Sequence, residues 1–211
     1  MNKFKIVSFV LAIALLGALT RLVYVVNTSL PTPAVDKKAV VLDNIFSRKS
    51  VRSFTEAPVD KEILDTLVRA AMAAPTGRDM RPWQFVIINE REMMDSLSKK
   101  LPYAKMLTQA QAAIVVCGDM SVTDKEGNPS CNWTFDCSAA TENLLLAAEA
   151  MGLGAVWTGV HPYESRLAAV TSALGLPEHI IPLNLIPIGY PKGAPQPKDK
   201  FNQKQIHYNG L

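Results

Sequence analysis

This 211-residue sequence has few cysteines, no glycine-rich nucleotide-binding motif and no net charge in the body of the chain. Its three cysteines are too few and too unevenly spaced to build a metal site, and we predict none. No glycine-rich fingerprint of a dinucleotide-binding fold follows an apolar, strand-like run. Only 3 of the 22 basic residues precede residue 36, so 19 basic side chains stand against 19 acidic ones in the rest of the chain. This balance excludes the broad basic surface that nucleic-acid binding needs.

The composition indicates one globular domain with mixed secondary structure. The chain is 48% hydrophobic and 19% charged, which suits a packed core and excludes a disordered or collagen-like polymer. The period of the apolar residues changes several times, so we expect both helices and strands. Helices are predicted near residues 40–46, 60–74, 91–101, 134–151 and 163–174, and strands near residues 83–89, 113–119, 154–159 and 183–189.

The amino terminus holds an apolar stretch without charges at residues 6–19, followed by Arg21 and a second apolar patch at residues 22–26. We predict that residues 1–26 are either a signal peptide or a transmembrane anchor that spans residues 6–26. Lysines before this stretch favour a cytoplasmic start. The domain is therefore expected to be membrane-anchored or exported and to lie outside the cytoplasmic membrane, with a cytoplasmic location as the open alternative.

Two further boundaries follow from composition. Residues 27–38 are polar and interrupted by prolines, as is typical of a linker. The functional domain is predicted to occupy residues 39–211.

The segment at residues 47–54 carries the most informative local chemistry. In an extended backbone the side chains alternate, so Arg48, Ser50 and Arg52 would point to one side. Two guanidinium groups with a hydroxyl between them suit a phosphate, because arginine donates two hydrogen bonds at once and stays charged. The alternative on this spacing alone is a solvated basic turn.

Four motifs follow one another along the body of the chain. They are the arginine-serine-arginine segment, a proline-hydroxyl loop that begins at Pro75-Thr76 and ends at Pro82-Trp83, the sequence Gly152-Leu153-Gly154-x-x-Trp157-x-Gly159, and Gly189-Tyr190-Pro191. Together they extend from Arg48 to about Lys200, nearly the whole body of the chain. Because the same motifs occur in the same order in the FMN-dependent nitroreductase family, the sequence resembles that family.

This resemblance implies an α+β fold in which helices flank a central, mostly antiparallel β-sheet. It also implies an intertwined homodimer with two FMN sites at the subunit interface, and FMN as the cofactor. No side chain is expected to be catalytic, because the chemistry takes place on FMN. The cofactor-binding residues that the resemblance implies are Arg48, Lys49, Ser50, Arg52, Pro75, Thr76, Asp79, Arg81, Trp157, Thr158, Gly159, Lys198 and Lys200.

Some of these assignments have alternatives. Asp79 stands where the family usually has asparagine, and an ionised carboxylate can only accept hydrogen bonds. Arg78, Asp79 and Arg81 could instead form a surface cluster without cofactor contact. For Lys198 and Lys200, which match a basic pair near the FMN phosphate, the alternative is a solvated tail.

The activity implied by the resemblance is an NAD(P)H-dependent oxidoreductase. NAD(P)H would reduce FMN and leave, and a nitroaromatic, quinone or similar acceptor would then be reduced in a second, ping-pong step. Two alternatives stay open at this point. One is another flavin-linked dehydrogenase, or a thiol-dependent enzyme that uses Cys131 and Cys137. The other is a membrane-tethered flavin-binding module without activity.

Overall fold

The computed structural model describes residues 2–29 and 36–210, and these residues divide into two compact units. The first unit extends to Val41 and the second begins at Leu42. Helix α1, Lys3–Ser29, belongs to the first unit. Helix α2, Lys37–Ser47, crosses the boundary between the two.

The membrane predictions for the amino terminus are wrong. No helix among residues 2–29 and 36–210 combines the length and the apolar character that a membrane span needs. The charge-free run in α1 stops before Arg21, and its 15 residues, 6–20, make only about 22 Å of helix against the roughly 30 Å of a bilayer core. The described residues therefore support neither a transmembrane anchor through residues 6–26 nor a signal peptide, and a membrane-anchored or exported domain is not supported either.

The predicted linker is described only in part. Helix α1 continues through residues 27–29, and α2 begins at Lys37, while residues 30–35 lie outside the described residues. The boundaries of linker and domain at residues 27–38 and 39–211 remain predictions.

The second unit contains the remaining helices and all the described strands. The further helices are α3 at Lys61–Met72, α4 at Arg91–Lys100, α5 at Trp133–Ala150 and α6 at Glu164–Leu174. The strands are β1 at Trp83–Ile88, β2 at Ala112–Asp119, β3 at Gly154–Ala155, β4 at Thr158–Gly159 and β5 at Ile180–Gly189. Short 3-10 turns occupy Gly77–Asp79, Lys105–Thr108 and Gln203–Gln205.

The strands form one antiparallel sheet in the order β1-β2-β5-β3, with β4 also paired to β5. The strand predicted at residues 154–159 is present as two pieces. Gly154 pairs with Gly189, and Gly159 pairs with Asn184 in the same register. Trp157 lies between the two pieces, and its side chain is 38% exposed. The strand is therefore interrupted at a residue whose side chain is partly in solvent.

Helices cover both faces of this sheet. One core cluster joins α3 and α5 to one face, with Leu67 and Leu144 fully buried. The other joins α4 and α6 to the opposite face, with Leu97 and Val170 fully buried. Every residue of β2 is buried, as its unbroken apolar run predicts. The predicted α+β fold with a central antiparallel sheet is confirmed.

The cysteines carry no disulfide. Cys117 and Cys137 are buried in the core, Cys131 is exposed, and all three are free. Burial raises the pKa of the Cys117 and Cys137 thiols to about 12. Both thiols are therefore protonated at neutral pH, which leaves a thiol-dependent reaction at Cys137 without its reactive thiolate.

Candidate functional site

The arginine-serine-arginine segment leaves α2 in an extended conformation beside β3. Ser50 forms a parallel bridge with Ala155, and the Val51 amide donates to the Ala155 carbonyl at 3.0 Å. Val51 is only 3% exposed, whereas Ser50 and Arg52 are exposed. The alternation from Ser50 to Arg52 agrees with the predicted pattern and places these two polar side chains on the outer side.

Two carboxylates of α5 hold the first two cations of this segment. Arg48 Nε lies 3.1 Å from Glu142 Oε1, and Lys49 Nζ lies 2.6 Å from Glu149 Oε1. The two glutamates are seven residues apart, about two helical turns, and so face the same way. Among residues 2–29 and 36–210, the two terminal nitrogens of Arg48 have no partner and can bind an anion, whereas the Lys49 ammonium is engaged with Glu149. Sequence reasoning missed both glutamates, although their spacing on a predicted helix was a usable signal.

Arg48 meets the two tail lysines in one pocket, which we call the cationic cradle. The pocket has a volume of about 590 Å³ and is lined by Ile45, Phe46, Arg48, Pro197, Lys198, Asp199, Lys200 and Phe201. Three cations stand against Asp199 in the lining and Glu142 beside Arg48, which leaves one net positive charge for a phosphate. Arg52 and Ser50 do not line it.

The predicted loop contacts lie on a separate surface, which we call the Thr76 loop (residues 75–81). The loop lines a pocket of about 430 Å³ through Thr76, Asp79 and Arg81, together with Met72, Ala74 and Trp83. This pocket shares no lining residue with the cationic cradle. One chain thus places the cradle contacts and the loop contacts in two separate pockets, and Ser50, Arg52 and residues 157–159 line neither of them.

A buried carboxylate anchors the Thr76 loop. Asp136, which is 5% exposed in the first turn of α5, accepts from the Thr76 hydroxyl at 2.9 Å and from the Gly77 amide at 3.1 Å. The Thr76 hydroxyl oxygen in turn accepts from the Arg81 amide at 3.0 Å. Sequence analysis did not single out Asp136, although an acidic residue in the first turn of a helix is a recognisable feature.

The anchored loop has an unusual backbone. Arg78, Asp79 and Arg81 have φ angles of 54°, 56° and 51°, in the left-handed region that side chains other than glycine rarely adopt. Such residues persist where surrounding contacts hold them, and they are often found at functional sites. The bonds to Asp136 are contacts of this kind.

The side chains of this loop form ion pairs near solvent. Arg81 donates from Nε and Nη2 to the two Asp79 oxygens, both at 2.7 Å. The hydrogen bonds from Arg81 hold the pKa of the Asp79 carboxyl below its usual value. Arg78 Nη1 lies 3.4 Å from Asp124 Oδ2. This geometry resembles the surface cluster weighed above, yet Asp79 and Arg81 also line the loop pocket.

Residues 157–159, the β4 segment, offer backbone rather than side chains. Thr158 is buried, and Gly159 pairs with Asn184 of β5. A Cβ atom added at Gly159 would have only two described atoms within 4 Å, Arg166 Nη1 and Trp157 Nε1, both at 3.9 Å. A planar group could therefore approach this backbone closely.

Comparisons with known proteins show which family and which proteins this chain is similar to. The Nitroreductase family model matches residues 45–101 and 93–190. A protein of Methanothermobacter thermautotrophicus, named as an NADH dehydrogenase/NAD(P)H nitroreductase, is 41% identical over 170 residues, which cover 81% of this chain and 87% of the relative.

Solved structures are also similar to the chain. A crystal structure of a protein of the same name from Parabacteroides distasonis is 52% identical, with a TM-score of 0.77 over 82% of this chain and 99% of its own. An FMN-dependent nitroreductase from Clostridium difficile is 25% identical, with a TM-score of 0.73 over 81% of this chain and 99% of its own.

Proposed function

The chain belongs to the nitroreductase family, and from this premise we propose that it reduces nitroaromatic, quinone or similar acceptors in a two-step, ping-pong reaction. Membership of the family shows that the protein is an NAD(P)H-dependent oxidoreductase and a flavoprotein with FMN as its cofactor. The alternative of a membrane-tethered module without activity is no longer supported, because none of the described helices is long and apolar enough to span a membrane and the family consists of oxidoreductases.

The observation that carries the proposal is the cationic cradle. Arg48 and the lysines at 198 and 200 are separated by about 150 residues of sequence, yet they line one pocket. Their donors match the phosphate of FMN, and the uncovered backbone at Gly159 suits a flat ring. The residues present therefore fit the cofactor that the family implies.

We assign the chain's own residues the following work. Arg48, Lys198 and Lys200 bind the phosphate, and Ser50, which bridges to Ala155 of β3, contributes its hydroxyl beside them. The backbone at Thr158 and Gly159 packs against the ring. Bound FMN supplies the electron transfer from NAD(P)H to the acceptor.

The Thr76 loop completes the proposed site. Asp79 accepts a hydrogen bond at the polar edge of the ring, and Arg81 neutralises the Asp79 charge through its two bonds. Asp136 holds Thr76 and Gly77 in place. These assignments, with Pro75 and Trp157 as neighbouring contacts, come from the match to the family pattern.

We further propose a homodimer in which the two groups of contacts face each other across the interface. The cradle and the Thr76 loop line separate pockets in one chain, so a second copy can bring the loop to the cradle. Large apolar side chains flank both pockets: Phe46 and Phe201 are 71% and 70% exposed, and Met72 is 52% exposed. Covering such side chains favours association. Sedimentation analysis should give twice the mass of one chain.

Purified protein tests the function directly. We expect a yellow protein whose flavin absorbance bleaches when NADH or NADPH is added without oxygen and returns when a nitrobenzoate or a benzoquinone is added. Initial rates with both substrates varied should give parallel double-reciprocal lines. A folded protein that is colourless and takes up no added FMN would contradict the proposal, as would a flavin that neither nucleotide bleaches.

A further inference from the structure

One arginine outside the predicted site gathers three segments around the β4 segment. Arg166, in the first turn of α6, donates from Nη1 to the Gly159 carbonyl at 2.9 Å. Its guanidinium carbon lies 3.9 Å from the centre of the Tyr163 ring and 4.8 Å from the centre of the Tyr103 ring. Arg166 therefore ties β4, the start of α6 and the turn after α4 to one planar cation.

These contacts fix one peptide group on both of its edges. The Gly159 carbonyl accepts from Arg166, and the amide of the same peptide group, on Val160, donates to the Leu183 carbonyl at 3.0 Å. A peptide plane held from both sides cannot rotate without breaking a hydrogen bond. Since glycine itself allows wide rotation, the orientation at Gly159 depends on these bonds.

The chemistry of the contacts requires arginine in particular. Stacking on a tyrosine ring uses the flat face of the guanidinium, while its edge remains free to donate in the plane. A lysine at this position could donate one hydrogen bond but could not stack in this way. Tyr103 and Tyr163 are 68% and 53% exposed, so their rings add little to the core.

The position of the charge is also defined. Arg166 Nη1 lies 3.9 Å from the point where a Gly159 Cβ would stand, on the backbone that the proposed function places against FMN. A fixed positive charge beside a redox group favours its more negatively charged state.

We propose that Arg166 is a positioning residue that orients the backbone at Gly159 for FMN and favours the reduced cofactor by its charge. This inference rests on the proposed function and deepens it. Arg166 acts through its hydrogen bond to the Gly159 peptide group and through the electric field of its own charge, and it need not touch the substrate.

The test measures FMN binding and FMN midpoint potential in the full chain carrying Arg166→Gln. We expect the dissociation constant for FMN to rise about tenfold, since one charge-assisted hydrogen bond is lost. Reduced FMN should lose a further tenfold in affinity relative to oxidised FMN, which lowers the midpoint potential by about 30 mV for a two-electron couple. Arg166→Lys should restore part of the potential but not the full affinity.

Two further variants separate positioning from folding. Glu164→Gln changes an exposed residue of the same helix turn and should leave affinity and potential unchanged. Tyr103→Leu removes one ring from the stack and should weaken FMN binding about threefold, whereas Tyr103→Phe should not. If Arg166→Gln fails to fold, the Tyr103 pair still provides the comparison.

The outcomes distinguish this inference from the function on which it rests. If the wild type binds FMN, and Arg166→Gln or, failing that, Tyr103→Leu matches it in both affinity and potential, the inference is overturned while the function stands. A fall in affinity with an unchanged potential overturns the role of the charge. A wild-type chain that binds no FMN overturns the proposed function and, with it, this inference.

Discussion

The cationic cradle and the Thr76 loop are built in opposite ways. The cradle consists of long charged side chains, and its two lysines are exposed. Arg48, whose side chain is 18% exposed, is balanced by Glu142, whose side chain is 50% exposed. The loop is a backbone structure, with residues in the left-handed region held by the buried Asp136. One region depends on charge, and the other depends on a few buried hydrogen bonds.

Because of this difference, mutations in the two regions should affect different properties of the protein. Charges near solvent are screened by salt and contribute little to folding, but they act directly on an anionic ligand. A buried carboxylate with two donors contributes to folding, because its removal leaves those donors unsatisfied. We therefore expect changes in the loop anchor to alter stability and changes in the cradle to alter cofactor affinity.

The largest effect is expected for Asp136→Ala. This variant leaves the Thr76 hydroxyl and the Gly77 amide without their acceptor, and we expect a loss of about 3 kcal/mol in the free energy of unfolding. Denaturant unfolding measures it. Asp65→Ala, at an exposed ion pair with Lys61, is the control and should change stability by less than about 0.5 kcal/mol. If both variants lost the same free energy of unfolding, Asp136 would contribute no more to stability than an exposed ion pair, which would contradict its role as the anchor of the loop.

Arg48→Met should be the most damaging single change in the cradle. It removes the arginine that we propose binds the phosphate, and a charged hydrogen bond of about 1.5–3 kcal/mol corresponds to a roughly tenfold to hundredfold weaker FMN affinity. Lys49→Met is the matched control, because the Lys49 ammonium is engaged with Glu149, and its affinity should stay within about threefold of the wild type. Fluorescence titration with FMN decides between them. A larger loss for Lys49→Met would place the phosphate on the other side of the segment.

Glu142→Gln should have a smaller effect of the opposite sign. Removal of the carboxylate beside Arg48 releases that arginine from its counter-ion, so FMN should bind about threefold more tightly at low salt. Riboflavin, which has no phosphate, should bind as it does to the wild type. If FMN binds more weakly to this variant, then Glu142 mainly orients Arg48 rather than competing for it.

Asp79→Asn is expected to have the smallest effect and to depend on pH. The Arg81 hydrogen bonds lower the pKa of Asp79 in the folded chain, so the stabilisation from this pair is complete above the unfolded pKa and is lost as pH falls through the folded one. FMN titrations from neutral to acidic pH should show a dependence in this acidic range for the wild type that is absent from the variant. Identical profiles would show that Asp79 lies away from the cofactor.

Residue types and their periods predicted most of the helices and strands, whereas the arrangement of the sheet was expected from the family resemblance. The apolar run at β2 indicates a strand covered on both faces, and the helical spacing around Leu64 and Leu67 predicts α3. Alternation also placed Val51 inward and Ser50 outward. The prediction of a membrane segment at the amino terminus was wrong, because an apolar run next to lysines suggested a membrane span that the described helices do not support.

Local sequence patterns thus determined most of the helices and strands and the residue types able to hold a phosphate, while the antiparallel sheet was expected from the family resemblance. Only the tertiary structure decided which cations share a pocket, that the Thr76 loop lines a different one, and that Asp136, Glu142 and Arg166 hold the parts in place. The physical reason is range. Periodicity and propensity act between neighbours in sequence, whereas a hydrogen bond from Arg166 to Gly159, or an ion pair from Arg48 to Glu142, exists only after the core has packed and brought its elements together.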